Sequence, residues 1–301
     1  MINFLKYRYL CLVFSIAIFA TGAYFYVVRG GFSYSIDFTG GSELRIAFET
    51  PQDIAEVRKV LSEESWQDLI VQNLEGSSEF IVRVDDVSEF VESKVTGALS
   101  KAFGDSAFKV VSVEKVGPEA GSEIRYNAII SVILTLIGLA FYMAFRQRYA
   151  YALGAVAALA HDVLVILTYY LVMNEPISLN VLTGILSVLG YSVNDTVIVF
   201  CRIRDNLGLS KKMSGEEIVN LSLNQTLSRT LLTSFTTFLT MVSLFFLGGP
   251  VLKSFSVTMM LGIFFGTYSS IYIASTVMLY FNDQFKGDGG LSQGEKPSLR
   301  L

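Results

Sequence analysis

The stretch Gly190-Tyr-Ser-Val-Asn-Asp-Thr196 puts a carboxylate, Asp195, inside an apolar run from about Ile177 to Phe200. That run is long enough to cross a bilayer. An Asp at the centre of a membrane helix costs roughly 2.5 to 3.5 kcal/mol on insertion scales. A chain that keeps one turns it towards a protein interior, where it can bind and release a proton, so Asp195 is a candidate proton carrier. The competing reading is a carboxylate near the helix end, solvated by headgroups, because Arg202 opens a charged flank a few residues on.

Polar residues recur at helical spacing around it. Thr183, Ser187, Tyr191 and Asn194 step by four, four and three, and Asp195 borders their stripe. Downstream, Thr226, Arg229, Thr230, Thr233, Thr237 and Thr240 also step by three or four. Two hydroxyl-rich faces meeting at one interface could line a hydrated wire. Alternatively, small residues let helices approach and each hydroxyl bonds back to its own i−4 carbonyl. Arg229 stands at the start of its apolar run, and Asp195 lies roughly 10 Å inside the preceding one. Making and breaking an Asp–Arg pair would switch the proton affinity of the carboxylate; outward snorkelling of the arginine is the alternative. His161-Asp162 is a second candidate in the proton pathway. Adjacent helical residues point about 100° apart, so the two do not face one partner, and a bracing role for Asp162 competes with a titrating one.

The elements that must carry these residues follow from hydropathy. Of 301 residues, 52% are hydrophobic, and the charges are segregated: residues 30–124 hold eighteen Asp or Glu against eight Lys or Arg, whereas basic residues prevail elsewhere. This is the composition of a membrane protein with one acidic soluble block. The single histidine and two cysteines, Cys11 and Cys201, leave no material for a Ser-His pair, a zinc site or a disulfide framework. No cofactor, metal or enzymatic activity is expected, and nothing points to nucleic acid.

Six apolar helices are expected: 10–28, 126–145, 149–173, a fourth ending near Cys201, 230–247 and 255–281. Residues 1–29 form the N-terminus and first helix, 30–124 the soluble domain, 125–281 the other five helices, and 282–301 a disordered tail. The basic connections are the N-terminus, the 146–148 turn, the 202–229 loop and the tail. The positive-inside rule places them in the cytoplasm and the soluble block outside, in the periplasm or its equivalent.

Within that block, Glu43–Phe48 alternates as a strand, Thr50 and Pro51 open a helix, and Ile54, Val57, Val60 and Leu61 face inward. Residues 66–74 and 79–84 form a hairpin about 75–78. Ser88 caps a second helix, with Phe90, Val91, Val95, Ala98, Leu99 and Phe103 inward and Gly104 as its stop, and 108–116 is the last strand. The order is that of a ferredoxin-like α+β sandwich. The overall class is a membrane all-α bundle of six helices with this domain between the first and second. Asp37-Phe-Thr-Gly-Gly41 before it and Val116-Gly-Pro-Glu119 after it are turn signals.

The motifs Asp37–Gly41, Val116–Pro118, His161-Asp162, Gly190–Thr196 followed by Arg202-Ile-Arg204 and Asn206, and Arg229-Thr-Leu-Leu-Thr-Ser-Phe-Thr-Thr237 occur in this order over nearly the whole chain. Together they resemble the SecF family, the smaller subunits of the bacterial SecDF protein-export factor. One position departs: the family usually has Asp before Arg-Ile-Arg, where this chain has Cys201, so that acid is not the essential one.

The resemblance implies a resistance-nodulation-division type membrane fold in the bacterial inner membrane, with both termini cytoplasmic. It implies a SecD-like partner, the SecYEG channel with SecA, an unfolded preprotein as substrate, lipid contact, and use of the proton-motive force. It matches Asp195 and Arg229 to positions tied to proton flow, and makes Asp37, Gly40, Gly41, Gly117 and Pro118 linkers that couple helix tilt to domain swing. The alternatives are half of a proton-coupled small-molecule exporter of the same superfamily, or a non-transporting scaffold subunit.

Overall fold

The computed structural model describes residues 2–64, 66, 69–73, 78–146, 149–209 and 213–282. They divide into two compact units. One comprises Met1–Ser33, Ser131–Glu175 and Leu179–Leu301; the other comprises Tyr34–Ile130 and Pro176–Ser178.

The smaller unit begins with a single helical turn, α2 (Ile36–Thr39), followed by β1 (Gly41–Phe48), α3 (Ile54–Ser62), β2 (Leu69–Asn73), β3 (Glu79–Val84), α4 (Val91–Phe103) and β4 (Phe108–Val116). The four strands form one antiparallel sheet in the order β2-β3-β1-β4. Alternation sets its two faces: Leu44, Ile46 and Phe48 of β1 and Phe80, Val82 and Val84 of β3 join Val57, Leu61, Val95 and Leu99 of the helices in one core. Leu44 opposes Val82, and Ile46 opposes Phe80. The register between β1 and β4 shifts between Arg45 and Ile46, which skips Val111. On the other face, Arg83 Nε donates to Glu43 at 2.7 Å, both side chains being buried.

Two helix starts differ from expectation. The cap of α3 is Asp53, which accepts from the Ala55 amide at 2.9 Å, and neither Thr50 nor Pro51 opens the helix. Ser88 does not cap α4. Asp86 accepts the Ser88 amide at 2.8 Å in an Asx turn, and that bond to the backbone holds the Asp86 carboxyl below its ordinary range. Starting α4 at Val91 turns Phe90 outward, 75% exposed. Gly104 ends the helix at φ 90° as expected. The turn expected at 75–78 and the strand ends at 66–68 and 74 lie largely outside the described residues.

Six helices are long and apolar enough to cross a membrane: Leu5–Arg29, Pro118–Phe145, Tyr149–Met173, Leu179–Gly208, Gly215–Leu247 and Leu252–Phe281. They contain α1 (Arg8–Arg29), α5 (Pro118–Arg146), α6 (Tyr149–Met173), α7 (Leu179–Leu209), α8 (Gly215–Leu247), and α9 (Gly249–Ser269) continued through a π turn (Ser270–Ala274) into α10 (Ser275–Phe281). The third, fourth and sixth spans are the inner ones: 61%, 50% and 56% of their most apolar windows is buried, against 11% in the other three. Close approach of α7 and α9 needs glycine. A Cβ on Gly184 would lie 2.7 Å from Thr258 Cγ2, and one on Gly262 would overlap Val188.

The fourth and fifth helices outrun their apolar runs, correcting the expected 202–229 loop. Polar side chains zip them together: Arg202 Nε donates to Gln225 Oε1 at 2.7 Å, and Asn206 donates to Ser222 and Gln225, both at 2.8 Å. Ser214 and Glu217 close a capping box at the start of α8. Hydropathy finds the part of a helix that meets lipid; these caps and amide bonds extend it beyond. The chain start is clasped to the same helix through Ile2 and Asn224, Phe4 and Asn220, and an Arg8–Glu216 ion pair at 2.6 Å. The expected turn at 147–148 and tail at 283–301 lie outside the described residues.

Candidate proton site in the helical bundle

Asp195 projects from α7 into the bundle and is 1% exposed. Ser234 of α8 is a polar neighbour of its carboxylate. The Tyr191 hydroxyl donates to Ser234 Oγ at 3.3 Å, and Thr267 Oγ1 of α9 lies 2.8 Å from the same atom. Ser234 thus joins the fourth, fifth and sixth spans through Tyr191 and Thr267. Asp195 Oδ2 and Thr230 Oγ1 are buried with no hydrogen-bond partner among the described residues. Buried polar atoms are rarely left so, and a carboxylate oxygen in this state can take a proton at that atom.

Arg229 lies on the exposed side of α8, and no ion pair joins it to Asp195. Its charge reaches the carboxylate only through space. Asn194 is exposed and points away from its neighbour. Thr233 and Thr237 donate to the carbonyls of Arg229 and Thr233 at 3.1 and 2.9 Å. Thr183 and Ser187 likewise donate to their own i−4 carbonyls. Of the expected stripe on α8, Thr226 and Thr230 are buried, and Ser234 continues that face. The buried face and the rest of the stripe both step by three or four, so spacing marks the helix as hydroxyl-rich without choosing its inner face.

His161 and Asp162 face different partners, as the angular offset requires, and they also touch each other: Nδ1 is 3.2 Å from Oδ1. The backbone sets the 100° offset, but side-chain rotation closes it. Asp162 Oδ2 accepts from Ser192 of α7 at 2.6 Å and Ser269 of α9 at 3.0 Å. His161 Nε2 is 3.0 Å from Ser15 Oγ of α1. Ser15, Ser192, Ser234, Thr267, Tyr268 and Ser269 are the site residues the sequence did not single out. Serine and threonine abound in these helices, and only tertiary contact distinguishes these six. Directly after Ser269 comes the π turn, where Ser275 Oγ donates to the Ser270 carbonyl at 3.2 Å. Such bulges concentrate at functional positions.

The two linker motifs, in the smaller unit, form a single joint. A Cβ on Gly40 would lie 2.6 Å from Pro118 Cα, and one on Gly121 would lie 2.6 Å from the Gly40 nitrogen. Gly40 and Gly41 have φ of 79° and 116°, a region that favours glycine. Asp37 accepts from the Ser35 hydroxyl at 2.9 Å, inside the turn that leads into Gly40.

Six apolar helices, the buried carboxylates Asp162 and Asp195 and one small sheet domain define a multi-pass membrane protein. The family model described as "Protein export membrane protein SecD/SecF, C-terminal" matches residues 95–284, and the SecD/SecF GG motif matches residues 28–52. Protein translocase subunit SecF of Thermodesulfovibrio yellowstonii is 36% identical over 92% of this chain and 94% of its own length. SecF of Vibrio alginolyticus is 36% identical over 92% and 89%. The crystal structure of SecDF from Thermus thermophilus, a translocon-associated membrane protein, superposes with a TM-score of 0.84 at 33% identity over 93% of this chain. A SecDF structure in a super-membrane-facing form gives 0.69 over 95%. This chain spans 38% and 39% of those two SecDF chains. The chain belongs to the SecD/SecF family, and within it to the SecF protein translocase subunits.

Proposed function

We propose that the chain works beside a SecD-like subunit in the bacterial inner membrane and uses proton movement past Asp195 to assist preprotein translocation. The observation that carries this reading is Asp195 itself: a buried carboxylate in a membrane-spanning helix, with one oxygen unpartnered among the described residues and no ion pair. The strand order β2-β3-β1-β4 supports a ferredoxin-like reading of the small domain. That domain, residues 30–124, lies on the periplasmic side. Residues 1–29 and 125–281 supply the six spans, and 282–301 the cytoplasmic tail. The match to SecDF structures, in which this chain spans 38% and 39% of the longer chain, supports the SecD-like partner. The SecYEG channel, its SecA motor and an unfolded preprotein complete the machinery, with lipid around the outer spans and no catalytic role for this subunit. The joint at Gly40, Gly41, Gly117 and Pro118 transmits helix tilt to the small domain.

Reporter fusions test the placement. Fusions after Ser77 and within residues 174–178 should read outside, and those after Lys212 and Lys286 inside; a cytoplasmic signal from the Ser77 fusion overturns both the topology and the export role.

Arg229 acts by charge at a distance. At a separation on the order of 10 Å and an effective dielectric of about 20, one charge is worth about 1.7 kcal/mol, which water screening reduces. Arg229→Ala should therefore lower gradient-driven export by up to roughly tenfold, while Arg229→Lys keeps most of it. Equal loss in both variants, measured in reconstituted vesicles, would instead require the planar guanidinium contact that the sequence suggested.

A further inference from the structure

The hydrogen bonds around His161 fix where a second proton must lie. The Tyr268 hydroxyl is 2.6 Å from the Cys11 carbonyl oxygen. A carbonyl only accepts, so Tyr268 directs its one hydrogen there. Ser15 Oγ lies 3.0 Å from the same tyrosine oxygen, so Ser15 must donate to it. Ser15 also has one hydrogen, and its 3.0 Å contact with His161 Nε2 is a hydrogen bond only if Nε2 carries the hydrogen. In a neutral imidazole the other nitrogen is then bare. Yet Nδ1 is 3.2 Å from Asp162 Oδ1, and two bare acceptors at that distance repel unless a proton lies between them. The other carboxylate oxygen, Oδ2, already accepts from Ser192 and Ser269.

We infer that His161 and Asp162 together hold one proton between Nδ1 and Oδ1, making a second proton-binding site in the bundle, with Ser15 and Tyr268 as the residues that set the imidazole tautomer. The proton has two resting places. Either the carboxylic acid donates to a bare Nδ1, or the imidazolium donates to the carboxylate. Passing from the first to the second breaks one O–H bond and forms one N–H bond, with no other reactant.

The charge left on Asp162 then changes. Hydrogen bonds to an ionised carboxylate are roughly twice as strong as neutral ones, so the bonds from Ser192 and Ser269 tighten or loosen with the proton. Ser192 stands three residues before Asp195 on α7. Ser269 stands two residues after Thr267, the partner of Ser234, and directly before the π turn. The shared proton is therefore coupled to the two helices that hold Asp195. This coupling rests on the proton-carrier reading of Asp195; the location of the proton does not.

The chain has one histidine, so a single ¹⁵N-histidine label reports this site alone. The measurement is ¹⁵N magnetic resonance of the full chain, copurified with its SecD-like partner and placed in lipid bilayers. The wild type should show a hydrogen directly bonded to Nε2 and a strongly hydrogen-bonded Nδ1. Tyr268→Phe frees the Ser15 hydroxyl to donate to Nε2, so Nε2 should lose its hydrogen to solvent and the imidazole should keep only the proton between Nδ1 and Oδ1. In Asp162→Asn, Nε2 should keep its hydrogen while Nδ1 becomes an ordinary neutral acceptor. A wild-type Nε2 without a hydrogen overturns the inference, as does a Tyr268→Phe spectrum identical to wild type. The two readings fail separately. Full gradient-driven export by Asp195→Asn sinks the carrier role and leaves the shared proton standing; a bare wild-type Nε2 does the reverse.

Discussion

Asp195→Asn is expected to remove the gradient-driven part of export entirely while ATP-driven translocation by the rest of the machinery continues. The amide is nearly isosteric with the carboxylate and fills the same space in the bundle. A neutral side chain is also easier to keep in a membrane helix than a charge. Insertion, folding and partner binding should therefore survive. What is lost is the ability to bind and release a proton. One charge crossing 100 mV releases about 2.3 kcal/mol, enough to bias a two-state equilibrium by tens-fold. The comparison is export into inverted vesicles with and without an imposed pH gradient: wild type should respond and Asp195→Asn should not.

The second large effect is expected at the joint of the small domain. Gly40 has φ 79° and ψ 174°, a combination essentially restricted to glycine and costing on the order of 1–3 kcal/mol for other residues. An added methyl would also meet the Pro118 backbone, at 2.6 Å from Cα and 2.8 Å from N. Backbone cannot yield as a flexible side chain does. Gly40→Ala should therefore separate the entry and exit strands of the domain, sharply reducing both the accumulated protein and the export it supports. Gly117, in the partner motif, has open space where its Cβ would go, so Gly117→Ala should behave like wild type. Protein level by immunoblot and export assayed side by side decide between these outcomes. Equal tolerance at both glycines would show that the joint is not close-packed in the working protein.

How much of this could be read from the residues depends on what sets each feature. The six apolar helices follow from hydropathy, because lipid imposes the same constraint along each span. The strands 79–84 and 108–116 follow from alternation against one core. Helix starts are less legible: Asp53 and Thr50 are both good caps, and only the path of the chain decides that Asp53 accepts the amide. The buried acids stand out in the sequence because a charge in an apolar run is conspicuous. Their partners do not: Ser234 and Thr267 resemble every other hydroxyl in those helices until packing brings them within 2.8 Å. Arg229 shows the opposite failure. Its position suggested a direct pair with Asp195, but its place on the exposed face of α8 is a matter of helix rotation, which linear spacing leaves undetermined. The meeting of Gly40 with Pro118 joins segments nearly eighty residues apart, which two separate turn signals could not foretell.

If protons cross this bundle at Asp195, proton flux itself is the most direct measurement. The chain and its SecD-like partner are reconstituted in liposomes enclosing a pH-sensitive dye, and decay of an imposed pH gradient is followed. Wild-type complex should dissipate the gradient faster than empty liposomes, and Asp195→Asn complex, present in equal amount, should match the empty ones. Equal flux through wild type and Asp195→Asn would contradict the account and move the proton path to the partner subunit.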